Sequence, residues 1–198
     1  MEVNRKQGIR GITLLGAGLA WLGAAAAGAG VRLPAAELAP PSGSADGEPA
    51  RSAGLVFAPP AAWVGEKPAG GMRLAQGTIP GPGGPAQFGV FFFGRGRGGS
   101  ADDNVERWIA QIDGPTAPAA RHAFSANGLR VTWVEAAGTL EPSQIGMGPA
   151  TAQPGWRLLG AVVEGPGGPW FFKVVGPDAT VAGAREAFLQ MLRDARPR

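Results

Sequence analysis

Trp156–Gly176, WRLLGAVVEGPGGPWFFKVVG, decides the fold. Two apolar runs of strand length, rich in Val and aromatic residues, flank Gly165-Pro166-Gly167-Gly168-Pro169. Strand-like runs around a Gly/Pro cluster predict a hairpin, and the glycines supply the positive-φ positions that a tight reversal needs. The same pentapeptide stands at Gly81-Pro82-Gly83-Gly84-Pro85, between the strand-like runs Met72–Ile79 and Ala86–Phe93. A helical pattern follows each pair, so a strand–GPGGP–strand–helix unit occurs twice.

Both helices are marked by their residues. In the first, Ser100 is placed to cap, Asp102 and Asp103 lie in the first turn where the helix dipole favours acids, and Asp103 stands four residues before Arg107. Val105, Trp108, Ile109 and Ile112 form its apolar stripe, and Gly114-Pro115 ends it. The second spans about Thr180 to Arg193, with Val181, Ala184, Phe188, Met191 and Leu192 on one face. Between the helices, Asn127-Gly128 separates His122–Ser125 from Leu129–Val134, an Asn-Gly hairpin signal. Val90-Phe91-Phe92-Phe93 is apolar at every position, as in a strand packed on both sides. Glu141–Gly155 reads as a long loop, and Ala61–Gly71 as a turn-rich connection. Hairpins interspersed with two amphipathic helices predict an α+β domain, an antiparallel β-sheet covered by two or more helices.

Residues 1–29 carry the features of a signal peptide. Arg5, Lys6 and Arg10 make a positive n-region, Ile12 to Leu22 a modest apolar core, and Ala25-Ala26-Ala27 or Ala27-Gly28-Ala29 a small-residue cleavage site. The competing reading is an uncleaved anchor, for which Gly11–Ala29 is barely long enough and too rich in Gly and Ala. Either reading places the remainder outside the cytoplasm, in the periplasm or secreted, or anchored N-terminally in the inner membrane. Residues 30–53, dense in Pro, Ala, Gly and Ser, read as a disordered linker. A single domain over 54–198 is the normal size for one core.

Composition excludes several chemistries. The chain has no cysteine, hence no disulfide, thiolate metal site or Cys nucleophile, and one histidine, hence no multi-histidine metal site. Its net charge of +3 draws on the n-region, and its basic residues are scattered, so no nucleic-acid partner is expected. No cofactor is expected either.

With an early strand ending in Pro60, Trp63 close behind, a hairpin opening with Met72-Arg73, a helix containing Arg107-Trp108 and a closing strand–strand–helix, the chain resembles the PsbP/Mog1 fold group and, within it, uncharacterised secreted bacterial proteins. The resemblance covers most of residues 54–194. It implies an α/β/α sandwich around an antiparallel sheet and a binding or assembly-accessory role toward a protein or envelope component, and no functional residue of the group maps onto a position here. The expected function is therefore an extracytoplasmic, non-catalytic binding module. The alternative is a secreted or membrane-anchored enzyme, whose mark would be Arg107, His122, Glu135 or Lys173 clustered in one cleft.

Gly94-Arg95-Gly96-Arg97-Gly98-Gly99 formally matches G-x-G-x-x-G. The preceding strand belongs to a hairpin, however, and Asp102 and Asp103 would repel a phosphate, so a plain connection is the better reading. A weaker version keeps Arg95 and Arg97 as an anion patch. His122 has no Ser or Asp spacing that would make it a catalytic base. Lys173 interrupts an apolar strand; a sheet-face lysine whose stem covers apolar neighbours is the commoner arrangement, a buried amine with displaced pKa the rarer one.

Overall fold

A computed structural model describes residues 54–68, 73–143 and 147–198. The signal segment and linker read in residues 1–53 lie outside the described residues, as does Met72. The described chain is α+β: an antiparallel sheet with two helices.

The strands are β1 (Leu55–Val56), β2 (Val64–Glu66), β3 (Arg73–Ile79), β4 (Ala86–Phe92), β5 (Ile112–Asp113), β6 (Ala120–Ala126), β7 (Leu129–Leu140), β8 (Gln153–Gly165), β9 (Gly168–Pro177) and β10 (Arg196–Pro197). Helix α1 (Ala101–Ile109) follows β4, and α2 (Asp178–Asp194) follows β9. The main sheet runs β2-β3-β4-β9-β8-β7, and β6 and β5 share the far side of β7. A separate ribbon joins β1 to β10.

Both GPGGP segments are hairpin turns, β3–β4 and β8–β9. Identical in sequence, they are held differently. The first is clasped by Thr180 at the start of α2, which donates to the Gly84 carbonyl at 2.8 Å and accepts from the Gly83 amide at 3.1 Å. The second is closed by its own strand: Trp170 Nε1 donates to the Pro166 carbonyl at 3.2 Å. The second strands of the two hairpins, β4 and β9, pair at the middle of the sheet from Gln87↔Val175 to Phe92↔Trp170.

The period-two alternation of strands sorts the core into two clusters. Phe88, Val90, Leu159, Ala161, Trp170, Phe172 and Val174 pack with Val181, Phe188, Leu189 and Leu192 of α2. The intervening Leu158, Val162, Phe171 and Val175 pack with Val105 and Trp108 of α1. Val90-Phe91-Phe92-Phe93 is divided the same way, Val90 and Phe92 to the first cluster, Phe91 and Phe93 to the second. All five residues of the expected α2 stripe are buried.

Ser100 caps α1 as expected. Its hydroxyl accepts from the Asp103 amide at 3.1 Å, and the Asp103 carboxylate accepts from the Ser100 amide at 3.1 Å, a capping box. The Asn127-Gly128 turn has both residues at positive φ, 52° and 77°, as a type I′ reversal requires. Asn127 Nδ2 also donates to the carbonyls of Arg193 and Ala195, both at 2.9 Å, and so serves the carbonyls at the end of α2.

Two expectations are corrected. Ile112, assigned to the α1 stripe, lies beyond the helix on β5, because α1 stops at Ile109. The connection Ala61–Gly71 contains the short strand β2, whose residues are all exposed and which exists through its pairing with β3. Just beyond α2, Arg196 pairs with Val56 in β10.

Candidate functional site

The site begins with one register coincidence. On β9, Lys173 shares its face with Phe171 and Val175, the α1 side of the sheet. Its cross-strand partners are Gly89 on β4 and Gly160 on β8. A lysine in the middle of the sheet is thus flanked on both sides by residues without side chains. Larger groups from outside the sheet lean over the two gaps: a Cβ at Gly160 would overlap the Trp108 ring of α1, and one at Gly89 would overlap the Met147 sulfur. Glycine here serves close approach, the usual reason for a glycine inside a strand.

The result is a cavity of about 490 Å³ between α1, the sheet and the segment after β7. Phe91, Phe93, Phe171, Trp108 and Met147 give it apolar walls. Its polar lining is Lys173, Gln111, Asn104, Arg107 and Ser143, with Pro142 beside them. Its size and its few convergent polar groups are those of a small-molecule pocket.

Lys173 is only 4% exposed. Its amine donates to Gln111 Oε1 at 2.7 Å and to the Met147 carbonyl at 3.0 Å, both neutral acceptors. Two of its three donors are thereby used, and it forms no ion pair with a described residue. Burial without a countercharge lowers its pKa from 10.5 to about 8. The rarer of the two sequence readings of Lys173, the buried amine, is the one observed.

Around it the lining is fastened by the backbone. Gln111 follows α1, and its carbonyl accepts from the Glu141 amide at 2.8 Å, which ties the end of the helix to the segment carrying Pro142 and Ser143. Asn104, 4% exposed, donates to the carbonyls of Gly98 and Ser100, both at 2.8 Å. Its own Oδ1 accepts from Arg107 Nη1 at 3.3 Å. Asn104 therefore couples the glycine-rich loop to an arginine that lines the cavity. Arg107 makes this bond rather than the expected one to Asp103, whose carboxylate serves Ser100; those side-chain and backbone bonds hold the Asp103 pKa below the ordinary value.

The four titratable residues singled out as marks of an enzyme divide. Arg107 and Lys173 line one cavity. Glu135 belongs to the opposite face of β7, beside Trp133, where it accepts from Arg157 Nη1 and, at 3.0 Å, from Arg185 Nε. Burial works against the Arg157 charge, but its bonds to Asp178 and Glu135 outweigh it and raise its pKa. His122 is exposed and stacks on Trp133, ring centroids 4.5 Å apart. Among the described residues Lys173 bonds to the Gln111 amide and the Met147 carbonyl, and to no acid, base or hydroxyl.

Arg95 and Arg97 are exposed on the turn closed by the Arg97 amide and the Gly94 carbonyl at 3.3 Å. Neither lines the cavity. The loop's glycines answer backbone and packing needs: Gly98, at φ +88°, lies where a Cβ would come within 2.6 Å of the Phe171 ring. The first turn of α1 is occupied by the Ser100–Asp103 box, and Asp102 accepts from Arg121. Among the described residues no cluster of His, Cys, Asp and Glu could hold a metal ion, and no helix is long and apolar enough to cross a membrane.

The sequence reading missed Gly89, Gly160, Gln111 and Met147. A glycine inside an apolar strand run was the available signal at the first two. No family model and no curated protein matches the chain. Among solved structures, the chain is similar to a protein of unknown function from Pseudomonas aeruginosa with a TM-score of 0.43 and 16% sequence identity, over 62% of this chain and 81% of that one.

Proposed function

We propose that the chain is an extracytoplasmic, non-catalytic binding module whose ligand occupies the cavity beneath α1. The observation that carries this reading is the composition of the cavity: aromatic walls around one buried amine, which among the described residues bonds to an amide and a backbone carbonyl and to no acid, base or hydroxyl. Preformed apolar concavities with few polar groups are how proteins hold small molecules. The enzyme alternative draws on Arg107 and Lys173 sharing the cavity, and among the described residues it lacks a proton-transfer partner for either.

The wider architecture is proposed as the α/β/α sandwich of the PsbP/Mog1 group. In its favour are the order of elements and the two core clusters, each holding one helix against alternate residues of the same strands. The extracytoplasmic setting is supported by the n-region, apolar core and Ala-x-Ala order of residues 1–29. N-terminal sequencing of the mature protein should begin between Gly28 and Val31; an intact Met1 on a membrane-bound protein would replace export by anchoring.

The cavity reading has its own test. The chain has four methionines, Met1, Met72, Met147 and Met191. Met147 lines the cavity, whereas Met191 belongs to the other core cluster. With isotope-labelled methionine methyls, a library of small apolar compounds screened by NMR should shift Met147 and leave Met191 in place. Compounds that shift Met191 alone, or none that shift Met147, would remove the cavity as the site.

A further inference from the structure

We infer that the cavity takes an apolar monoanion: a carboxylate, or a group of the same charge, borne on an aromatic or branched hydrocarbon body. This rests on the cavity being a ligand site and adds the ligand's chemistry. Three observations converge on it. Lys173 is 4% exposed and bonded only to neutral acceptors, so a full positive charge has little to balance it. Buried charges are ordinarily paired. Arg107, a second cation, lines the same space, and no carboxylate is among the described lining residues. The remaining walls are Phe91, Phe93, Phe171, Trp108 and Met147, which reward an apolar body.

The position of the amine decides where the charged end goes. The gaps at Gly89 and Gly160 on either side of Lys173 are filled by Met147 and Trp108, so an anionic head reaches the amine from the cavity that all three of these side chains line. Arg107 stands on α1, with its guanidinium steadied by Asn104. A charge-assisted bond to the buried amine is stronger than a neutral one. A cation would meet two like charges, those of Lys173 and Arg107. A neutral ligand of the same shape would fill the walls and leave the amine as it was.

The test uses three probes of matched shape, naphthylacetate, naphthylacetamide and naphthylethylammonium, titrated by calorimetry into the wild-type protein and into Lys173→Met. Met147 methyl shifts report whether each probe enters the cavity. In the wild type, the acetate should bind at least about tenfold more tightly than the amide, and the ammonium weakest. Lys173→Met should abolish the preference for the acetate and keep the amide. If the wild type binds acetate and amide equally, or prefers the ammonium, the inference about charge fails and the cavity reading stands. If none of the three moves Met147 at millimolar concentration, both fail together. The wild-type comparison is decisive by itself, so the inference stays open to refutation even if Lys173→Met folds poorly.

Discussion

Replacing Lys173 by methionine should make the protein more stable at neutral pH and remove one limb of its pH dependence. The amine has a pKa of about 8 in the folded chain, against 10.5 when unperturbed. Below pH 8 it is protonated in both states, and folding carries the cost of burying the charge, about 3 kcal/mol from that difference. Between the two values the unfolded chain holds the proton and the folded chain has released it, so stability rises with pH across the window and levels off above it. Methionine keeps the length of the stem and has no charge to bury. It also gives up the bonds to Gln111 Oε1 and the Met147 carbonyl, each worth on the order of 1 kcal/mol. The net gain near neutral pH is then about 1–2 kcal/mol, or roughly 3–6 °C in Tm for a domain of this size.

Few other side chains of the chain ordinarily titrate in this window. The chain has no tyrosine and no cysteine, and its lysines are Lys6, Lys67 and Lys173, of which Lys67 is exposed. Urea unfolding of both proteins at intervals from about pH 7 to pH 10.5 measures the effect directly. Wild-type stability should climb through the upper part of the range while Lys173→Met stays flat. A flat wild-type curve, or a rise that survives in the variant, would show that the buried amine is not what sets the dependence.

Gly160→Ala should destabilise by about 1–3 kcal/mol, because the new methyl meets the Trp108 ring, and Gly89→Ala should cost less, since the Met147 sulfur is the end of a flexible chain; equal losses in urea titration would contradict that ordering. Ser100→Ala should cost about 1 kcal/mol by removing the acceptor for the Asp103 amide, and helix content measured by circular dichroism should fray from the α1 end. Replacing Arg95 and Arg97 together by Ala should change stability by no more than about half a kcal/mol, and millimolar nucleotide should leave Tm unmoved. A nucleotide-dependent rise lost in that double variant would restore a phosphate site on the loop.

What the sequence disclosed, and what it did not, follows from the range of the interactions. Helix α2 and the three hairpins at Gly81–Pro85, Asn127-Gly128 and Gly165–Pro169 were legible because their signals are local: an apolar stripe, or a reversal that only particular residues permit. Strands β2, β5 and β10 were not. Each is two or three residues long and exists through its partner, as when Arg196 pairs with Val56 across the whole domain. The cavity lay still further from view. Lys173 in an apolar strand was visible as an oddity, but its burial depends on Gly89 and Gly160 falling opposite it. The β8–β9 hairpin sets Gly160 opposite Lys173 locally, but Gly89 meets it only through the β4–β9 register, and register between strands so far apart in the chain is not written in any one segment. The glycine-rich match at Gly94–Gly99 was conspicuous for the opposite reason: a short pattern is easily recognised and says little without its surroundings.

The ribbon of β1 and β10 brings Leu55 opposite Pro197, and the Arg198 amide donates to the Gly54 carbonyl at 2.8 Å. Gly54 and Arg198, the first and last of the described residues, are therefore neighbours. A circularly permuted chain follows naturally: a short linker from Arg198 back to Gly54, with new ends opened in the exposed loop between Gly114 and Pro118, would leave the ladders of the main sheet and both helices uncut. In that permutant the α1 half and the α2 half exchange their order of synthesis while keeping their partners in space. The domain's identity lies in its pairings rather than in the direction in which they are threaded.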